Sequence, residues 1–187
     1  METYAECYPC LLKQTIRAAR KSGADPREQK VIVRQALPVL GNLDPNLSPA
    51  AAAERLHGLV WEQRGSEDVF REEKSRSTEQ ALALYPKLRR RINQSDDPFE
   101  TAVRLSIAGN IIDLGTQDTH ADLEETIARS LREPLAVDHL SRLRERVHEV
   151  ETILYLGDNA GETVFDRLLI ETLQVPVTYV VRGGPIF

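Results

Sequence analysis

TILYLGDNAGETVFDRLLIETLQVPVTYVV, residues 152–181, changes hydrophobic period twice within a short span. The β-branched and aromatic run at 152–156 reads as a strand that stops at Gly157. Val164, Phe165, Leu168, Leu169 and Leu173 then recur at helical spacing and predict a helix over 162–173. VTYVV, residues 177–181, is a second strand. Strand, helix, strand in that order implies a parallel pair joined by a right-handed crossover. Ligands of such a unit sit outside the carboxyl ends of its strands, and polar residues gather at both ends. The first strand is followed by Gly157, Asp158, Asn159, Gly161 and Glu162, the second by Arg182, Gly183 and Gly184. A helix N-terminus points to the same edge, with free N–H groups and a positive dipole end suited to an anion. A carboxylate, an amide oxygen, glycines and an arginine suit a hard divalent cation beside a phosphate, and such oxygen ligands favour Mg²⁺ or Mn²⁺ over zinc. Asp158 and Asn159 are equally at home as helix caps, and Glu162 and Asp166 as acids favouring a first-turn dipole. The pattern leaves a capped helix and a functional edge both open.

Upstream of this unit the chain reads as helices. Cys7, Cys10, Leu11 and Gln14 share a face of the first, which ends at Gly23. Asp25-Pro26-Arg27-Glu28 opens a second with a capping box and a proline at the first helical position, and Gly41 ends it. Ser48-Pro49 starts a third, running to about Arg64. A very polar helix is expected over 67–93, with Phe70, Leu82, Leu84, Tyr85 and Leu88 as its apolar positions. Asp97-Pro98-Phe99-Glu100 starts the next; TAVRLSIAG, 101–109, is apolar nearly all round, which predicts burial, and Gly109-Asn110 ends it. Two further helices fall near 121–132 and 138–148. The expected class is α/β with a helical majority. A helical subdomain over 1–150 packs on the start of a Rossmann-like parallel α/β domain over 151–187.

Composition narrows the function. The 187 residues are 41% hydrophobic and 28% charged, ordinary values for a globular protein. A net charge of −5 argues against nucleic acid as a partner, because a general phosphate-backbone binder is basic. The run Arg89-Arg90-Arg91 reads as a solvated helix face. METYAECYPC at the N-terminus has neither a basic n-region nor an apolar h-region, and no stretch is apolar over a membrane-spanning length, so a cytoplasmic protein is expected. Cys7 and Cys10 are too few and too close for a disulfide framework. They read as helix-face thiols, buried or partly so, since no second histidine or cysteine pair completes a zinc site. His139 and His148 read as surface residues and Trp61 as core. Asn110 and Asp113, by themselves, are residues that could terminate a buried helix.

The stretches CYPCLLKQ (7–14), SDDPFETAVRLSIAGNIIDLG (95–115), GDNAGETVFD (157–166) and RGGPI (182–186) change the balance, because together and in this order they resemble the damage-control phosphatase family. The chain is similar to its smaller prokaryotic branch, which carries an N-terminal cysteine pair. The resemblance implies a helical domain on a Rossmann-like domain, and a metal-dependent phosphatase acting on small phosphorylated metabolites such as sugar phosphates. It implies Asp158 and Asn159 as metal ligands, Glu162 as an acid near metal and substrate, and Asn110 and Asp113 as a G-N-x-x-D signature at the cleft between the domains. Arg182 falls in the basic-Gly-Gly-Pro segment, and Lys74, in DVFREEK, aligns with a recurring lysine. Family members continue past G-G-P-I into an Asn-Asp pair whose Asp is the third metal ligand, whereas this chain stops at Phe187. The expectation is therefore a fragment that binds metal weakly, has little activity and self-associates through 177–181.

The function expected from these residues is a phosphomonoesterase dependent on Mn²⁺, Mg²⁺, Co²⁺ or Ni²⁺. Asp158 and Asn159 would hold the metal. Gly161 with the helix N–H groups, together with Asn110 and Lys74, would receive the substrate, and Arg182 would stabilise developing charge. Glu162 or Asp113 would orient the water or a substrate hydroxyl. The alternative is a non-catalytic nucleotide- or cofactor-binding module. Against it, the acid expected at the end of the second strand for a ribose is replaced by Arg182.

Overall fold

A computed structural model of the chain describes residues 2–44, 46–65, 68–111 and 120–181. They fall into two compact units, divided along the chain between residues 71 and 72.

The first unit holds α1 (Cys7–Lys21), α2 (Pro26–Gly41) and α3 (Pro49–Arg64). The capping box at α2 is complete: Asp25 Oδ1 accepts from the backbone N–H groups of Arg27 and Glu28, and the Glu28 carboxylate accepts from the Asp25 N–H. Ser48 Oγ accepts from Ala51 N–H to start α3. Helix α1 packs on both others around Leu11, Leu40 and Leu56 at one end and Ala18, Ile32 and Val60 at the other. Phe70 belongs to the second cluster, not to the polar helix on which its spacing placed it, because that helix starts only at Arg71. Cys7 packs beside the first cluster, whereas Cys10 is exposed, at variance with the partly buried pair expected. His139 and His148 are exposed as expected, and Trp61 is half-buried rather than in the core.

His57 on α3 is only 3% exposed and its Nε2 has no hydrogen-bond partner among the described residues. Burial lowers its pKa from the ordinary 6.5, so the folded state keeps the imidazole neutral. The unfolded chain takes up the proton first, so the unfolded state binds more protons in the window below the unfolded value of about 6.5, and stability falls there as pH falls. We expect chemical denaturation midpoints to drop on acidification from pH 7 through 6, with His57→Leu flattening that limb. An identical slope in the variant would rule His57 out as its source.

The second unit holds α4 (Arg71–Asn93), α5 (Pro98–Ile111), α6 (His120–Arg132), α7 (Leu140–Glu149), β1 (Ile153–Leu156), α8 (Glu162–Ile170) and β2 (Val177–Val180). The strands pair in parallel, with Ile153 opposite Val177 and Tyr155 opposite Tyr179. The expected strand–helix–strand unit is thus present, α8 ending three residues before the predicted helix. Packing draws the unit boundary elsewhere than composition does. Helices α4 to α7, grouped by sequence with the first 150 residues, share a core with α8. Helix α5 makes the largest contact with α8, through Leu105 and Ala108 against Phe165 and Leu168, all fully buried.

Helix α5 runs through Gly109 and Asn110 rather than stopping there. A Cβ at Gly109 would lie 2.6 Å from Phe165 Cβ and 2.8 Å from its Cγ. The glycine marks the point where α5 and α8 touch, and continuing the helix past it puts Asn110 beside the start of α8. Alternate residues of the sheet face two environments. Tyr155 and Tyr179 are half-buried on one face, while Leu154 (66% exposed), Leu156 (71%) and Val180 (39%) lie open on the other.

Candidate functional site

The carboxyl end of β1 leads through Gly157, Asp158, Asn159 and Ala160 to Gly161, the residue capping α8. Asp158 and Asn159 are exposed, and Gly161 and Glu162 are buried. Gly157 has a steric reason to lack a side chain: a Cβ there would run into the Tyr179 hydroxyl and ring. Tyr179 therefore reaches beneath the turn that presents Asp158.

Below the turn lies a carboxylate surrounded by hydroxyls. Asp166, 1% exposed, accepts at Oδ1 from Tyr155 (2.6 Å) and Ser106 (3.0 Å), and at Oδ2 from Tyr179 (2.7 Å). Ser106 Oγ also lies 2.8 Å from the Tyr155 hydroxyl. The two tyrosine rings stack with centroids 5.4 Å apart. Burial first, and then the bond to Asp166, raises both phenol pKa values far above the ordinary 10, so both remain donors. One carboxylate thus joins both strands, α5 and α8. The sequence reading took Asp166 as an acid favouring a first-turn dipole and missed Ser106, Tyr155 and Tyr179. The available signal was a pair of tyrosines at equivalent points of two strands, each on the face opposite the exposed leucines.

At the edge itself a second carboxylate, Glu162, gathers two amides. Its Oε1 accepts from Asn110 Nδ2 at 3.0 Å. Its Oε2 accepts from Asn159 Nδ2 at 2.9 Å and from the Asn159 backbone N–H at 3.3 Å. The backbone bond ties the turn to Glu162, the first residue and first-turn acid of α8, so the plain helix-start reading of Glu162 holds in part. The side-chain bonds go further, bringing Asn110, 52 residues upstream of Glu162, together with Asn159 and Glu162, three residues singled out in the sequence. Lys74 lies half-buried on α4. Asp113 and Arg182 lie outside the described residues.

Among the described residues no three or more of His, Cys, Asp and Glu cluster as a metal cage would need. The turn does offer the Asp158 carboxylate and the Asn159 amide oxygen side by side, both hard donors of the kind Mg²⁺ and Mn²⁺ take, alongside water. That donor set fits a hard divalent cation and does not fit a soft one. No helix among the described residues is long and apolar enough to cross a membrane.

A parallel strand pair with an acid–amide turn at its carboxyl edge, backed by a crossover helix, defines an α/β protein with a polar edge at the place where ligands of such folds sit. The chain belongs to the damage-control phosphatase ARMT1-like domain family, whose sequence model matches residues 3–187. It is 35% identical over 188 residues to a damage-control phosphatase of Archaeoglobus fulgidus, covering 96% of this chain and 64% of that one. A damage-control phosphatase of Pyrococcus horikoshii is 31% identical over 175 residues, covering 93% and 60%. The crystal structure of a DUF89-family protein from Pyrococcus horikoshii superposes with a TM-score of 0.87 at 30% identity, over all of this chain and 66% of that one. The chain therefore spans under two thirds of the length of the curated relatives it matches.

Proposed function

We propose that the protein is a divalent-metal-dependent phosphatase hydrolysing small phosphorylated metabolites, sugar phosphates among them. The observation that carries this reading is the turn at the end of β1. Asp158 stands exposed beside Asn159, whose amide nitrogen is engaged by buried Glu162, leaving a carboxylate and an amide oxygen as neighbours. Family membership supports the reading, since the matched relatives carry the name damage-control phosphatase. In this proposal Asp158 and Asn159 hold the cation, which when bound supplies charge to polarise a phosphoryl oxygen and acidify a water. Gly161 and the first N–H groups of α8 receive a phosphate oxygen at the positive end of the helix dipole. Asn110 and Lys74 serve the rest of the substrate, Arg182 stabilises charge as it develops on the transferring phosphoryl group, and Asp113 orients the water or a substrate hydroxyl.

A phosphatase screen on the full-length protein with Mn²⁺, Mg²⁺, Co²⁺ and Ni²⁺ tests this. The expected result is release of inorganic phosphate from sugar phosphates that a chelator stops and added metal restores. Hydrolysis that survives the chelator would count against metal dependence. A full panel of esters left intact with every metal would favour a binding module instead.

A further inference from the structure

We infer that Glu162 is a positioning residue, which fixes the orientation of the Asn159 and Asn110 side-chain amides, and is not the group that takes a proton from water. The inference rests on the metal-dependent reading above. An asparagine side chain has a donor branch and an acceptor branch of nearly equal shape, so its two flipped states differ mainly in what faces each branch. An ionised carboxylate only accepts. Placed between two amides, Glu162 admits the nitrogen branch of each and rejects the oxygen branch, which would bring oxygen against oxygen. Both bonds are of ordinary length, 3.0 Å to Asn110 and 2.9 Å to Asn159, and the glutamate that makes them is 8% exposed. Asn159 Oδ1 is thereby turned away from Glu162, on the exposed residue next to Asp158. Asn110 Oδ1 is turned away in the same manner.

The carboxylate is committed at both oxygens. Oε2 accepts two N–H groups and Oε1 one, and the residue is buried against α5. A general base must reach the proton it removes directly or through one water; three of the roughly four acceptor directions of this carboxylate are already taken and the residue is buried, which leaves such a water little access. Glu162 instead does for an amide ligand what the carboxylate partner does for a metal-bound histidine: it selects one state of the ligand and holds it. Loss of such a partner typically weakens metal binding about 10–100-fold.

The decisive variant is Glu162→Gln, close to isosteric, whose amide nitrogen must face one of the two asparagine nitrogens. By calorimetry on the full-length protein, E162Q should bind Mn²⁺ about 10-fold more weakly or worse, with its far-ultraviolet circular dichroism unchanged. The double variant E162Q/N159D should regain affinity, because the new glutamine nitrogen donates to the new carboxylate while its oxygen still accepts from Asn110. Unchanged Mn²⁺ affinity in E162Q, or no recovery in the double variant, would overturn the inference. Asn159→Asp alone tests the same contact from an exposed position where the fold is not at risk. It adds a charged oxygen to the turn yet sets two carboxylates face to face, so Mn²⁺ binding should weaken, and tighter binding would count against us. If the wild-type protein binds no Mn²⁺ at all, the metal reading falls, and the amides decide this inference separately. By NMR the Asn159 side-chain N–H protons should be protected from exchange in wild type and lose protection in E162Q; equal protection in both would refute the clamp.

Discussion

Asp158→Ala should reduce metal-dependent phosphate release by more than 100-fold while leaving the fold intact. The two halves of this expectation have different origins. In the proposed reaction Asp158 is the only charged donor in the turn, and its removal takes away both a bond to the cation and a full negative charge. Since loss of an outer partner already costs about 10–100-fold, loss of the carboxylate itself should exceed that range. Any change in stability should be small beside that loss, because Asp158 is exposed on a turn rather than packed in a core. The measurement is initial rate against Mn²⁺ concentration, with a melting curve alongside. Turnover retained at saturating Mn²⁺ would remove Asp158 from the ligand set.

Asp166→Ala is expected to do the reverse, striking the fold first. Three hydroxyls, from Ser106, Tyr155 and Tyr179, donate to this one buried carboxylate. Deleting it leaves donors with no acceptor at a cost of about 1–3 kcal/mol for each group that stays buried and unsatisfied. Ser106 and Tyr155 can still bond to one another, and the tyrosines are half-buried rather than sealed, so the sum is smaller than three full penalties. A loss of about 3 kcal/mol follows, which for a chain of this size lowers the melting temperature by roughly 6–12 °C. Asp166→Asn keeps one acceptor oxygen and should fall between. Because Tyr179 lies under the Gly157 turn, the loss should also loosen the segment that presents Asp158. A melting temperature for the alanine variant within about 2 °C of wild type would show that the hydroxyls find other partners.

The parts of this structure that were legible in the sequence are those written in short range. The capping box at Asp25 and Glu28 spans four residues and formed as read. The strand–helix–strand order was legible because hydrophobic period changes sharply at Gly157 and again before Val177. Asp158 and Asn159 stood out because polar residues directly after an apolar strand are few, although the pattern alone did not separate a cap from a ligand edge. What failed to show was fixed by distance along the chain. Gly109 carries the same local signature whether it ends a helix or lets another helix touch, and only the ring of Phe165 decides between them. Tyr155 and Tyr179 looked like strand formers, and the buried acid between them belongs to the crossover helix. The division of the chain into units was obscured for a related reason. Composition records the change from helix to strand, whereas packing records that α5 needs α8.

That dependence of α5 on α8 sets a schedule for the newborn chain. Asn110 leaves the synthesis machinery 52 residues ahead of Glu162, and Ser106 leaves it 60 ahead of Asp166. At about 5–20 residues per second the interval is roughly 3–12 s, far longer than the sub-microsecond-to-microsecond scale on which a single helix forms. Throughout it Leu105 and Ala108 lack Phe165 and Leu168, with which they share a core, because these have yet to be made. The proposed ligand edge cannot precede this event, since one of its amides stands on α5 and the other on the turn before α8. The edge therefore arrives only when the crossover helix docks, and until then the apolar face of α5 is surface of the kind that favours aggregation.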